Sequence, residues 1–409
     1  MKTRWLRVAL LNLFLAAILG ATLRLAFVVE LEWMNFRYVL HAHSHAAMLG
    51  WVYLGLFALL VHCFLPEEAQ QSRWLGGLFW LTQVSVVGML LTFPVMGYAG
   101  PSIAFSTLHV LLSYAFAWYF WRKLPVSTAF SHRLVRAALL FMAVSTLALW
   151  ATAPIILFKL KGSALYYASI QFFLHFQFNG WFIFAVLSLF FKYTESKSIS
   201  LPSRLRGRFF VLLVVSCILT YALAVAWSNP APVVYWINST GVLLQLAAAL
   251  LFIKLVWPVR EQLSLSGWGG FLIKLAFVCF VGKIVMQSVV AVPVIAEAAY
   301  TIRNYVIGFI HLILLGAVTP FLIGFAARQQ LLASGILSRI GITLFLIGFA
   351  GSELILFLQG TLFWASIGFM PYYYEGLFAI SLLLPIGIGL LLLGQIWLKD
   401  GRKLENHQR

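Results

Sequence analysis

The stretch RYVLHAHSHAAMLGW, residues 37–51, places His41, His43 and His45 at the mouth of an apolar run that continues to residue 64. The chain has nine histidines, so a third of them stand within five positions. What such a cluster means depends on the medium around it. Hydrophobic residues make up 63% of the chain and charged residues 10%, with a mean hydropathy of +0.97. Soluble domains hold about 45–50% apolar and about 25% charged residues. The chain therefore reads as an all-α, polytopic membrane protein, a single transmembrane domain over residues 1–409. The N-terminal stretch MKTRWLRVALLNLFLAAILGATLRLAFVV has the charge pattern of a signal peptide but no small-residue cleavage site, and is expected to stay as the first spanning helix.

Twelve segments have the length and apolarity to span a bilayer: 5–29, 38–64, 74–98, 102–122, 134–158, 164–191, 208–228, 233–257, 268–294, 304–326, 337–360 and 375–398. Connections are short, and no period of 20–50 residues stands out that would mark a repeat architecture. The formal charge of +17 does not imply nucleic acid, because the basic residues sit in loops and form no basic domain. Placing the N-terminus inside leaves Arg37, Lys159, Lys161 and Arg303 in outer stretches, and Arg24, Lys254, Lys274 and Lys283 within segments. The remaining twenty of the 28 lysines and arginines fall inside, among them Lys399, Arg402, Lys403 and Arg409. That bias predicts both termini inside; the expected location is a bacterial inner membrane. FWASIGFMPYYYEG, an outer connection, has the composition of an interfacial aromatic belt. Cys63, Cys217 and Cys279 show no CxxC spacing and read as small core residues without disulfides.

At about 1.5 Å per helical residue, several polar groups fall in the outer half of the membrane. His43 and His45 lie one to two turns down segment two, His109 two turns down segment four, His175 about three turns down segment six, and His311 two turns below Arg303 in segment ten. Glu353 of segment eleven rises into the same layer. Charged groups in a bilayer cost at least ~2.5 kcal/mol on insertion scales, so such residues face the bundle interior and mark function. A single membrane histidine is often a neutral group bonding a neighbouring helix. Four helices with histidine at one depth fit a bundle-core site instead, because neutral imidazole binds heme iron, copper or zinc. The candidate metal ligands are His43, His311, His175, His109 and Glu353; His62, His132 and His407 read as ordinary. His41 and His45 share a helix face and His43 does not, so one is expected to ligate and another to bond a propionate or stand near water. Gln171, His175 and Asn179 form a polar stripe that can orient the imidazole. Gly50 and Gly180 follow histidines and make room for either a macrocycle or a packed helix.

With these residues in view, the chain resembles the catalytic subunit of the heme–copper oxidase superfamily, nearest in flavour to C-type oxidases, nitric oxide reductases and NnrS-type nitric-oxide-response proteins. The resemblance covers the whole chain in topology and is specific at three places. RYVLHAHSHAAMLGW is similar to the family's helix-two pattern and implies a low-spin heme ligand at His43, with His45 one step on. HFQFNGWF is similar to the helix-six copper-ligand stretch, with His175 at the ligand and Asn179 where those enzymes keep a glutamate. FIHLILLGAV is similar to helix ten, with His311 as the other low-spin ligand. Arg37 and Arg303, at the outer ends of the same segments, join them as cofactor-binding residues. Two features depart from the family: RFFVLLVVSCILTYALAVAWS in segment seven lacks the histidine pair that binds copper, and Phe309 stands where a second helix-ten histidine is usual. The resemblance thus implies one b-type, bis-histidine heme and an incomplete second metal site. It implies electron transfer or the handling of nitric oxide or oxygen, with quinol or cytochrome c as the class of donor, and an oxidoreductase whose copper set is degenerate. Two other classes compete with this one. A twelve-helix secondary transporter lacks support from the loop LPEEAQQSRW and from polar groups displaced from the midplane. A metal-handling or assembly protein would use HAHSH as a trap.

Overall fold

A computed structural model describes residues 2–407, with side chains over 2–396. Arg409 lies outside the described residues, as do the side chains of Lys399, Arg402, Lys403 and His407. Twelve helices are long and apolar enough to cross a membrane, and no strand occurs among the described residues. In chain order they are α1 (Lys2–Leu25), α2 (Phe36–Phe64), α3 (Arg73–Met96), α4 (Gly100–Lys123), α5 (Phe130–Leu157), α6 (Ala164–Ser196), α7 (Ser203–Ala226), α8 (Pro232–Val259), α9 (Gly267–Val289), α10 (Arg303–Arg328), α11 (Ile336–Trp364) and α12 (Tyr373–Ile396). The chain is an integral, multi-pass membrane protein in contact with the lipid bilayer. Each expected segment corresponds to one helix, and the ends that moved have local causes. The first helix stops at Leu25 because residues 26–29 turn back, and the Phe27 ring stacks on Tyr374 at 5.1 Å. The ninth stops at Val289 because Pro293 opens a separate short helix, Pro293–Thr301, with Val292 held extended before it.

Capping residues fix where the helices begin. Asn35 accepts a hydrogen bond from the Tyr38 amide at the start of α2, and Ser163 does the same for Tyr166 at α6. At the start of α5 the Glu195 carboxylate, from the end of α6, accepts from both the amide and the hydroxyl of Ser131. Gly97 ends α3 at φ +61°, where a side chain would also strike the Tyr38 ring. Beyond α11, Gln359 staples the aromatic connection by donating to the Gly368 carbonyl and accepting from the Met370 amide.

The chain divides into two compact units. One comprises residues 1–124, 267–272 and 319–409; the other comprises 125–266 and 273–318. In the first, Trp5 stacks on Phe79 at 4.6 Å and meets Phe57 edge-on at 5.6 Å. Also in the first, α11 and α12 cross where Gly341 and Gly387 each press against the other's backbone carbonyl, the small-residue contact that lets membrane helices approach. In the second unit, Phe190, Phe191, Phe209, Phe252 and Phe277 form a continuous aromatic core.

Three of the twelve helices share an irregularity. α2, α6 and α10 change from α to π geometry over Ala46–Tyr53, Phe176–Phe182 and Leu312–Val318. Each π stretch starts at the residue after a histidine: His45, His175 or His311. π-Helix accounts for well under about 1% of residues in ordinary proteins and gathers at functional sites. Three stretches, each following a histidine and spaced four helices apart, are a repeated device. Its sequence form is His-x-x-x-x-Gly, at Gly50, Gly180 and Gly316.

Candidate functional site

The widened register of a π stretch frees backbone carbonyls that must find donors elsewhere. In α2, Asn12 of α1 donates to the Gly50 carbonyl at 3.0 Å. Its amide is locked in turn by a reciprocal pair with Gln83 of α3, at 2.8 and 3.1 Å. His109 of α4 lies within hydrogen-bonding reach of the Leu49 backbone. Further along, the Trp51 indole donates to Thr319 Oγ1 at 2.7 Å. In α6, Asn179 Nδ2 donates to the His175 carbonyl at 3.2 Å, and Gln177 donates to Ser145 of α5 at 2.9 Å. The glycines serve packing: a Cβ on Gly50 would meet Asn12 and Val86, and one on Gly180 would meet Phe141. Neither glycine faces open space.

The three α2 histidines have different surroundings. His41 and His45 share one face, against Phe93 (5.9 and 4.4 Å between ring centres) and Tyr98 (4.6 and 6.2 Å). His43 points to α1, where its Nδ1 donates to the Ala16 carbonyl at 2.8 Å and its ring lies over Gly20. His45 Nδ1 donates to the His41 carbonyl at 2.7 Å, which fixes the tautomer and leaves the lone pair on Nε2. His109 is 2% exposed and stands edge-on to Tyr53 at 4.7 Å between ring centres. Its buried Nε2 has no hydrogen-bond partner, and His45 is close enough to act on it electrostatically. Glu353 is buried on α11, with Arg24 of α1 as the charge that acts on it.

In the second unit His175 is held at both ring nitrogens. Nε2 donates to the Cys217 carbonyl of α7 at 2.8 Å, so Nδ1 is the acceptor that faces Asn179 Nδ2 at 3.4 Å. Asn179 is thus the member of the expected polar stripe that reaches the imidazole. Its Oδ1 accepts from Lys283 Nζ of α9 at 2.6 Å. Lys283 is 2% exposed; the sequence shows it as a cation inside a spanning segment but not what it bonds. His311 closes the α-helical part of α10 just before its π stretch. Arg37 and Arg303 stand exposed in the first turns of α2 and α10.

Among the described residues, no three His, Cys, Asp or Glu side chains converge as a ligand set for a metal ion. Among the described residues no disulfide occurs; Cys217 is buried, and Cys63 and Cys279 are half-buried. The arrangement offers His45 as an imidazole oriented through Nδ1, and one buried amine–amide–imidazole chain. No protein-family model and no curated protein matches the chain.

Proposed function

We propose that the chain is a membrane heme protein related to the heme–copper oxidase catalytic subunit, acting in electron transfer or in the handling of nitric oxide or oxygen. The observation that carries this reading is the recurrence of histidine at the start of a π stretch in α2, α6 and α10. Those are the helices in which the resemblance expects ligands. The donor chemistry fits heme, because His45 is a neutral imidazole oriented by a carbonyl at Nδ1. On α2 we read His45, and on α10 His311, as the residues that would hold heme, because each stands directly before a π stretch. His45 is favoured over His43, which lacks the glycine five residues on and is turned to α1. Arg37 and Arg303 are read as partners for the propionates. Heme supplies an iron centre that changes valence or takes a diatomic ligand; the protein holds the imidazoles in one tautomer and keeps the surroundings apolar. Heme extraction from purified protein made with a heme supply tests the reading. One b-type heme per chain is expected, and none would reject it.

A second metal is assigned no full ligand set. His175 is occupied at both nitrogens, while His109 has a buried Nε2 without a hydrogen-bond partner. Fewer than three ligands rarely make a catalytic metal site. Purified protein supplied with a chemical reductant should therefore consume oxygen far more slowly than a terminal oxidase. Rapid, cyanide-sensitive consumption with stoichiometric copper would contradict this.

For orientation, the basic bias supports N-in and C-in placement in a bacterial inner membrane. A cysteine at exposed Ser200, in the connection between α6 and α7, should resist impermeant thiol reagents in intact cells and react in inverted vesicles. Labelling from outside would reverse the orientation.

A further inference from the structure

We propose that Lys283, with Asn179 and His175, forms a proton-binding site inside the second unit, hydrated from the membrane face at which α8 begins and α9 ends. A membrane-embedded amine requires polar partners, and the one the protein gives Lys283 is neutral: Asn179 Oδ1 at 2.6 Å. That leaves the nitrogen with capacity for two further hydrogen bonds. The groups around it come from four helices. α6 supplies Asn179 and His175, α7 the Cys217 thiol, α8 Gln245 by register, and α10 the Phe309 ring at 5.9 Å from Nζ. None of them is a carboxylate.

Two other buried groups share this level. Gln287 lies one turn beyond Lys283 on the same face of α9; it is 6% exposed, and its Oε1 has no hydrogen-bond partner. The antiparallel register of α8 and α9 is set by Phe252 against Phe277 at 5.1 Å and by Asn238 donating to the Val290 carbonyl at 3.0 Å. That register puts Gln245 level with residue 284. Gln245 is 4% exposed, and its Oε1 is likewise unpartnered. Asn238 continues the row toward the end of α8, with an unpartnered Oδ1. Buried amide oxygens without protein donors are satisfied by ordered water. A row of them ending at an amine is a hydrated route to a base.

The chemistry at its inner end is a simple exchange. The Lys283 nitrogen lone pair takes a proton from hydronium and releases water, and deprotonation reverses the step. Asn179 accepts from the amine through Oδ1 in both states, and its Nδ2 passes the polarisation to His175 Nδ1. His175 in turn donates to the Cys217 carbonyl. The chain of bonds ties the charge on Lys283 to the orientation of an imidazole at the head of a π stretch.

The test has two arms on the full-length protein in liposomes. In a background with Cys63→Ala, Cys217→Ala and Cys279→Ala, cysteines at Gln287 and Gln245 should react with a small, charged, water-soluble thiol reagent. A cysteine at Val285, on the exposed face of α9, should not. The infrared difference spectrum between mildly acidic and mildly alkaline buffer should contain an amide carbonyl shift from Asn179. That shift should be lost in Lys283→Met. Lys283→Gln, which keeps a donor for Asn179, should lose it too and serves if the methionine variant does not fold. Unreactive cysteines at both glutamines would overturn the hydrated route. An unchanged difference spectrum in a folded Lys283 variant would overturn the proton site.

Discussion

His45→Ala and His311→Ala should each abolish the low-spin heme spectrum, while His43→Ala should leave it in place. His45 and His311 stand directly before π stretches, and His45 presents Nε2 with Nδ1 bonded to the His41 carbonyl at 2.7 Å. His43 is bonded to α1 instead, so its loss should lower stability by the value of one hydrogen bond and some packing, about 1–2 kcal/mol. No second histidine lies on α10, so the spectral effect of His311→Ala should be complete. Visible spectra of the three variants, normalised to protein, separate the outcomes. Loss in His43→Ala with retention in His45→Ala would return the ligand to the position that the family resemblance suggests.

The second large effect is structural. Gly341→Leu or Gly387→Leu should destabilise the protein by at least about 3 kcal/mol, the upper end for overpacking a tight contact. A Cβ at residue 341 would stand 2.4 Å from the Gly387 carbonyl, and one at 387 would stand 2.5 Å from the Gly341 carbonyl. Backbone atoms on both sides of the crossing cannot move aside as a flexible side chain can. Gly282→Ala is the control, since a Cβ there meets nothing within 4 Å, and alanine favours helix by up to about 1 kcal/mol. Thermal unfolding in detergent reads both. A Gly341→Leu protein as stable as the control would mean that α11 and α12 do not cross as closely as described.

The twelve helices were legible because spanning length and hydropathy are set by the bilayer and not by partner helices. Their ends were less so: Pro293 reads as one residue in an apolar run, and only the extended Val292 before it shows the break. The histidines were visible as residue types within spanning segments, yet what each imidazole bonds depends on carbonyls of other helices, Ala16 for His43 and Cys217 for His175. Sequence spacing does not encode those. The π stretches have a sequence form, His-x-x-x-x-Gly recurring in every fourth segment, but at a period far longer than that of a short structural repeat. Lys283 shows the opposite failure. Its charge marks only topology in the sequence, and its partner Asn179 lies more than a hundred residues away, where local spacing ties it to His175.

The reduced-minus-oxidised optical spectrum of the purified wild-type protein tests the heme assignment most directly. A sharp low-spin b-type signal that appears with dithionite and is carried by the chain alone is the result expected from His45 and His311 as axial ligands. A protein that is folded, helical and heme-supplied during expression, yet shows no such band, would contradict the assignment and favour a transporter or a metal-handling protein built on the same twelve helices.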